Sequence, residues 1–210
     1  MFDLKEMMDK LVTQELEAGG INGANVLVLH RNKEIYFNTF GYADKEKGIP
    51  MRRDTIFRMF SMTKPVTAAA VMILAQRGEI DLKDPVSRYM PYFAGQQVWT
   101  PSGRIVPAER DSTVWDMLNM LSGIPYPDIN SEPGRRMDSL FRKLIGRRER
   151  GEKVDTQEYL KNIARVPLMF QPGTKWMYGL SADVLGGLIE AVSGRKFGEF
   201  LEEEILRRLG

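Results

Sequence analysis

Apolar and polar positions in this chain recur with two periods, and each period marks an element. Leu4, Met7, Met8, Leu11 and Val12 fall on one helical face behind a cap at Asp3-x-x-Glu6, and Gly19-Gly20 stops the helix. Residues 25–30 (NVLVLH) and 34–40 (EIYFNTF) read as strands. Arg31-Asn32-Lys33 joins them into a hairpin whose turn puts Asn32 in a special conformation. The apolar run from Val66 to Leu74, with Ala68 to Ala70 inside it, predicts a helix buried on most sides and ended by Gly78.

Residues 81–107 carry Pro85, Pro91, Pro101 and Pro107 and read as a surface excursion, either the wall of a pocket or an irregular connection. Thr113-x-x-Asp116 caps a short helix closed by Gly123, and residues 124–138 are again punctuated by Pro, Gly and Ser. Arg142, Lys143, Arg147, Arg148, Arg150 and Lys153 alternate with Glu149 and Glu152, the pattern of a solvated face, with an acidic partner as the alternative. Asp155-x-x-Glu158 caps a further helix. Ser181 caps another, with Val184, Leu185, Leu188, Ile189 and Val192 on one face and Gly194 at its end, and a last helix spans residues 197–209. One hairpin is a thin sheet for so many helices. The expectation is an N-terminal helix and hairpin over residues 1–60, then a mainly helical part over residues 61–210.

Composition narrows the chemistry. The 210 residues are 43% hydrophobic and 28% charged, ordinary for a globular protein. A formal charge of +2 gives no general support for a nucleic-acid partner. Cysteine is absent, so disulfides, thiolate nucleophiles and Cys-ligated zinc are excluded. The one histidine, His30, ends a strand with no serine or carboxylate at a catalytic spacing, and reads as structural. Neither a metal nor another cofactor is expected. No apolar run reaches the roughly 20 residues of a membrane span. The first residues alternate acids with lysines instead of following the order of a secretion signal, which leads to a cytoplasmic expectation, with a mature chain whose signal was removed as the alternative.

Ser61-Met62-Thr63-Lys64 carries the strongest chemical signal. Side chains three apart share a helical face, so the lysine amine reaches the serine hydroxyl. A serine needs a neighbouring base to become a nucleophile, and an amine serves if burial, positive neighbours and the helix N-terminus lower its pKa. The Ser61 N–H is a candidate oxyanion donor. A surface Ser-Lys pair is the competing reading. It weakens because apolar sequence flanks the pair, GxSxG is absent and no histidine relay is available. Tyr178, between Pro172-Gly173 and the helix at Ser181, is placed to relay protons as a phenolate, or else to pack against Trp176.

The segments VLVLHRNKEIYFNTFGYAD, FRMFSMTKPVTAAAVMILAQRGEIDLKDPV, TVWDMLNMLSGIPY and FQPGTKWMYGLSADVLGGLIEAVSG together resemble the serine β-lactamase and penicillin-binding-protein superfamily. Within it they are similar to the class C β-lactamase and family VIII carboxylesterase branch. The resemblance implies a mixed α/β, β-lactamase/transpeptidase-like fold, an antiparallel sheet with a helical region. It makes Ser61 the acylated nucleophile, Lys64 its activating base and Tyr178 the second proton-transfer residue. Two departures stand out. The family's Y-x-N is Tyr178-Gly179-Leu180 here, which removes an amide that contacts lactam or peptide carbonyls. No K-T-G, H-x-G or W-x-G follows Tyr178, which suggests the N-terminal part of a longer enzyme with its sheet incomplete. The implied function is a serine carboxylesterase acting on small-molecule esters through an acyl-enzyme. The alternatives are a β-lactamase or D,D-peptidase, an acyltransferase, and a non-catalytic sensor. Tyr92, Phe93, Trp99, Tyr126 and Trp176 are candidate pocket walls, or ordinary core.

Overall fold

In the computed structural model, which describes residues 3–209, the chain divides into two units, residues 1–59 and residues 60–210. The first opens with helix α1 (Leu4–Glu17), where the Asp3 carboxylate accepts from the Lys5 and Glu6 amides. Strands β1 (Gly23–His30) and β2 (Lys33–Asp44) form an antiparallel hairpin, and the short β3 (Ile49–Pro50) pairs on the far side of β2. The register pairs His30 with Lys33, leaving a two-residue turn. Arg31 and Asn32 both take positive φ, 49° and 60°, as the tight hairpin turn matching strand twist requires. α1 packs on β2, where Asp9 accepts from the Tyr36 hydroxyl at 2.6 Å and the Asn38 amide at 2.8 Å. Leu27, Leu29 and Ile35 are exposed. His30 is exposed at the hairpin tip.

The second unit is built around helices α2 (Thr63–Gln76) and α6 (Ser181–Ser193), which pack against each other. Ala70, Val71 and Leu74 from α2 meet Val184, Leu185, Leu188 and Ile189 from α6 in one apolar cluster. Helices α3 (Val114–Leu118), α4 (Glu132–Glu149) and α5 (Thr156–Ile163) add Met117, Met137, Leu160 and Ile163 to it. The chain then runs through α7 (Phe197–Leu201), a π-helical turn (Glu202–Leu206) and α8 (Arg207–Leu209). Glu204 in that turn pairs with Arg77, Arg195 and Arg208, fastening it to the end of α2. Three strands with mainly helical sequence beyond them give the mixed α/β class expected, with the antiparallel sheet incomplete.

Three local expectations are corrected. The excursion over residues 81–107 is not irregular throughout: strands β4 (Gln97–Trp99) and β5 (Ile105–Pro107) form a ribbon. Val86, Met90, Phe93 and Val98 are buried, so this segment supplies core. The punctuated stretch before residue 138 hides the start of α4. Ser131 caps it, and Pro133 is tolerated in the first turn. Gly134 is required there because a Cβ would fall 1.9 Å from the Asp128 carboxylate. Ser181 does not cap α6. Its hydroxyl is buried 2.8 Å from that of Ser122, and Leu180 occupies the cap position.

The Thr113–Asp116 capping box is reinforced from outside. Asp116, only 2% exposed, accepts from the Thr113 amide and hydroxyl and from both terminal nitrogens of Arg110. Burial pushes its carboxyl up, but these donors outweigh burial and hold it below the ordinary aspartate range. The stability it contributes is present above the unfolded aspartate pKa and is lost as pH falls through the folded value. Arg110→Ala leaves this buried carboxylate with Thr113 alone. The expected loss is about 2–3 kcal/mol at neutral pH, read as a lower urea midpoint at unchanged slope.

Candidate active site

Ser61 sits in a single 3-10 turn, Phe60–Met62, that runs directly into α2. Phe60 takes φ 45°, a left-handed conformation costly for a bulky side chain, in the residue just before Ser61. Lys64 lies in the first turn of α2, as does Pro65, whose missing N–H would have no helical acceptor there. The predicted spacing holds: Lys64 Nζ donates to Ser61 Oγ at 3.2 Å.

Tyr178 reaches the same oxygen from a distant part of the chain. Gly173, at φ 83°, turns the backbone after Pro172. The following segment is laced to the loop before α4 by amides of Gly173, Met177 and Leu180 donating to the carbonyls of Leu121, Met120 and Ile124. Gly179 fits because a Cβ would lie 2.0 Å from the Ile124 carbonyl oxygen. So held, the Tyr178 hydroxyl donates to Ser61 Oγ at 2.6 Å, and the Lys64 ammonium lies 4.7 Å from the centre of its ring. The structure therefore brings Ser61, Lys64 and Tyr178 together across a separation of 117 residues.

The electrostatics differ from the expectation in one respect. Burial works to lower the Lys64 pKa, but hydrogen bonding to the Tyr178 and Tyr126 hydroxyls outweighs it, and the amine sits above its ordinary value. Tyr178 moves the opposite way. Its hydrogen bond with Ser61, then the neighbouring ammonium, draw its hydroxyl below the usual tyrosine range. This pairing favours a charged lysine beside an ionisable tyrosine.

The site opens into a cavity of about 690 Å³ within the second unit. Of the candidate wall residues, only Tyr126 lines it, and through more than its ring: Lys64 Nζ donates to its hydroxyl at 3.3 Å. Phe93 is in the core and Trp176 is exposed on the surface. Sequence reasoning missed Asp183 and Tyr159, which face the cavity with a hydroxyl-to-carboxylate contact of 3.3 Å. Burial pushes the Asp183 carboxyl up, against the pull of Tyr159 and Lys64. Its position in the first turn of α6, five residues after Tyr178, was the available signal. Leu180 also lines the cavity, where the Y-x-N pattern has its amide. Among the described residues no group of three or more His, Asp or Glu side chains is placed to hold a metal ion. No helix among them is long and apolar enough to cross a membrane.

The chain is similar over most of its length to proteins already described. A hydrolase described as having promiscuous acyltransferase activity, EstCE1, superposes with a TM-score of 0.77 at 27% identity, over 96% of this chain and 50% of its own. Esterase EstB of Burkholderia gladioli is 33% identical over 208 residues, 99% of this chain and 50% of its own length. An uncharacterized protein of Mycobacterium tuberculosis is 32% identical over 203 residues, 95% of this chain and 48% of its own. The chain thus spans about half the length of these relatives. The family model described as Beta-lactamase matches residues 8–210, which take in Ser61, Lys64 and Tyr178, and with that match the chain belongs to the Beta-lactamase family.

Proposed function

We propose that this chain carries the nucleophilic centre of a serine hydrolase that cleaves small carboxylic esters through an acyl-enzyme. The observation that carries the reading is the convergence of Tyr178 and Lys64 on Ser61 Oγ at 2.6 and 3.2 Å. In the proposed sequence Ser61 Oγ attacks the ester carbonyl carbon while its proton passes to the ionised Tyr178 oxygen. The Lys64 ammonium stays charged and stabilises that anion. The bond to the leaving oxygen breaks, and Tyr178 returns the proton to it, releasing the alcohol. Water then adds to the acyl carbon, giving a proton to Tyr178. The bond to Ser61 breaks, and Oγ takes that proton back. Lys64 here supports the base, with Tyr178 as the proton carrier.

The ester reading is preferred to a β-lactamase or D,D-peptidase because Leu180 offers no hydrogen bond where an amide would meet such substrates. Acyl transfer to an alcohol is a second reading, supported by the transferase activity described for EstCE1. The test is hydrolysis of p-nitrophenyl butyrate by the protein as its gene encodes it, with and without added butanol. Ser61→Ala is expected to fall to background, a loss of roughly 10⁴-fold or more. Butyl butyrate accumulating in place of acid would identify transfer. Equal rates for the two proteins would refute Ser61 as nucleophile.

A further inference from the structure

The basic run at the end of α4 is a solvated face, with Arg142, Lys143, Arg148 and Arg150 exposed and Arg147 half-buried. Arg142 pairs with Asp138, Arg147 with Glu152 and Glu158, and Arg150 with Glu152. Arg148 pairs with no carboxylate among the described residues, and it lines the same cavity as Ser61. Phe141, Leu144 and Ile145 line that cavity too. These four positions follow the spacing of one helical face, so an apolar stripe about 10 Å long ends in a single guanidinium.

Two carboxylates, Asp155 and Asp183, also line the cavity, and neither forms an ion pair with Arg148. Asp155 is engaged as the cap of α5, accepting from the Glu158 amide at 2.7 Å. Asp183 accepts from the Tyr159 hydroxyl at 3.3 Å. An anion carried along the stripe would therefore meet Arg148, whose planar fork matches a carboxylate.

We infer that Arg148 is a specificity-determining residue that selects esters whose acyl chain ends in a carboxylate, the chain lying along Phe141, Leu144 and Ile145. The inference rests on Ser61 being the acylated residue. Its test compares the mono-p-nitrophenyl ester of suberic acid with p-nitrophenyl octanoate, which has the same chain length without the charge. The natural protein is expected to favour the suberate ester by about tenfold in kcat/KM at low salt, and the preference should shrink as salt rises. Arg148→Ala should collapse the ratio of the two rates to about one, with Arg148→Lys intermediate. A purely structural role for Arg148 would lower both rates and leave the ratio unchanged, which would overturn the inference. So would equal rates in the natural protein. Calorimetry with free suberate separates the two readings. If neither ester is cleaved yet suberate binds and loses affinity in Arg148→Ala, the catalytic reading fails and takes ester selection with it, while carboxylate recognition by Arg148 stands. If neither ester is cleaved and suberate shows no Arg148-dependent binding, this inference fails as well.

Discussion

Tyr178→Phe should lower kcat toward p-nitrophenyl butyrate by roughly 10²–10⁴-fold while leaving KM within about twofold. The substitution removes one oxygen and keeps the ring, so the 5.7 Å packing on Tyr126 and the cation–π contact with Lys64 survive. What disappears is the proton acceptor 2.6 Å from Ser61. The pH profile provides an independent check. A tyrosine base works only when ionised, so the rate rises with pH as Tyr178 loses its proton. Because Ser61 and Lys64 draw its pKa down, that rise should fall below the pH at which an ordinary tyrosine titrates. Lys64→Met removes the ammonium and should move the rise to higher pH. If Lys64 were the base instead, Tyr178→Phe would leave most of kcat intact and Lys64→Met would abolish it.

Gly179→Ala should produce the second large effect without touching any reacting group. The added methyl would stand 2.0 Å from the Ile124 carbonyl oxygen, a backbone atom with little freedom to yield. Relief requires the segment carrying Tyr178 to shift by about an ångström, and a displacement of that size costs on the order of 10²-fold in rate. The Leu180 amide also loses its hold on the Ile124 carbonyl, so stability should fall by about 1–3 kcal/mol. Gly198→Ala is the control. Nothing lies within 4 Å of its new methyl, and α7 should gain up to about 1 kcal/mol from the better helix former. Activity tracking Gly179→Ala alone would tie the rate to that close approach. Equal behaviour of the two variants would remove it.

Local chemistry was legible in the sequence where a single residue type dictates the backbone or a short spacing dictates a contact. Asn32 foretold its left-handed turn, Thr113 and Asp116 their capping box, Gly194 its helix end, and Ser61 and Lys64 their contact. What escaped depends on partners far along the chain. The proline signals that marked residues 81–107 as irregular say nothing about the β4–β5 pairing or the burial of Phe93. The start of α4 looked like a loop because Pro133 and Gly134 punctuate it, although proline is welcome in a first turn. The Lys64 amine was expected to serve as a base if burial, positive neighbours and the helix N-terminus lowered its pKa. Two tyrosine hydroxyls from other segments reverse the sign, and no spacing rule announces them. Ser181 has a capping residue's identity but a buried partner, Ser122, claims its hydroxyl. Arg148 was hidden in a run of like charges, and only the cavity it lines singles it out from the other cations of that run.

The most direct test of the central claim is rapid acid quench of the gene-encoded protein mixed with p-nitrophenyl butyrate, followed by intact and peptide mass measurement. The account predicts a burst of p-nitrophenol and a single butyryl adduct on the peptide containing Ser61, absent in Ser61→Ala. A butyryl adduct on any other residue, or turnover with no adduct in the first cycle, would contradict it.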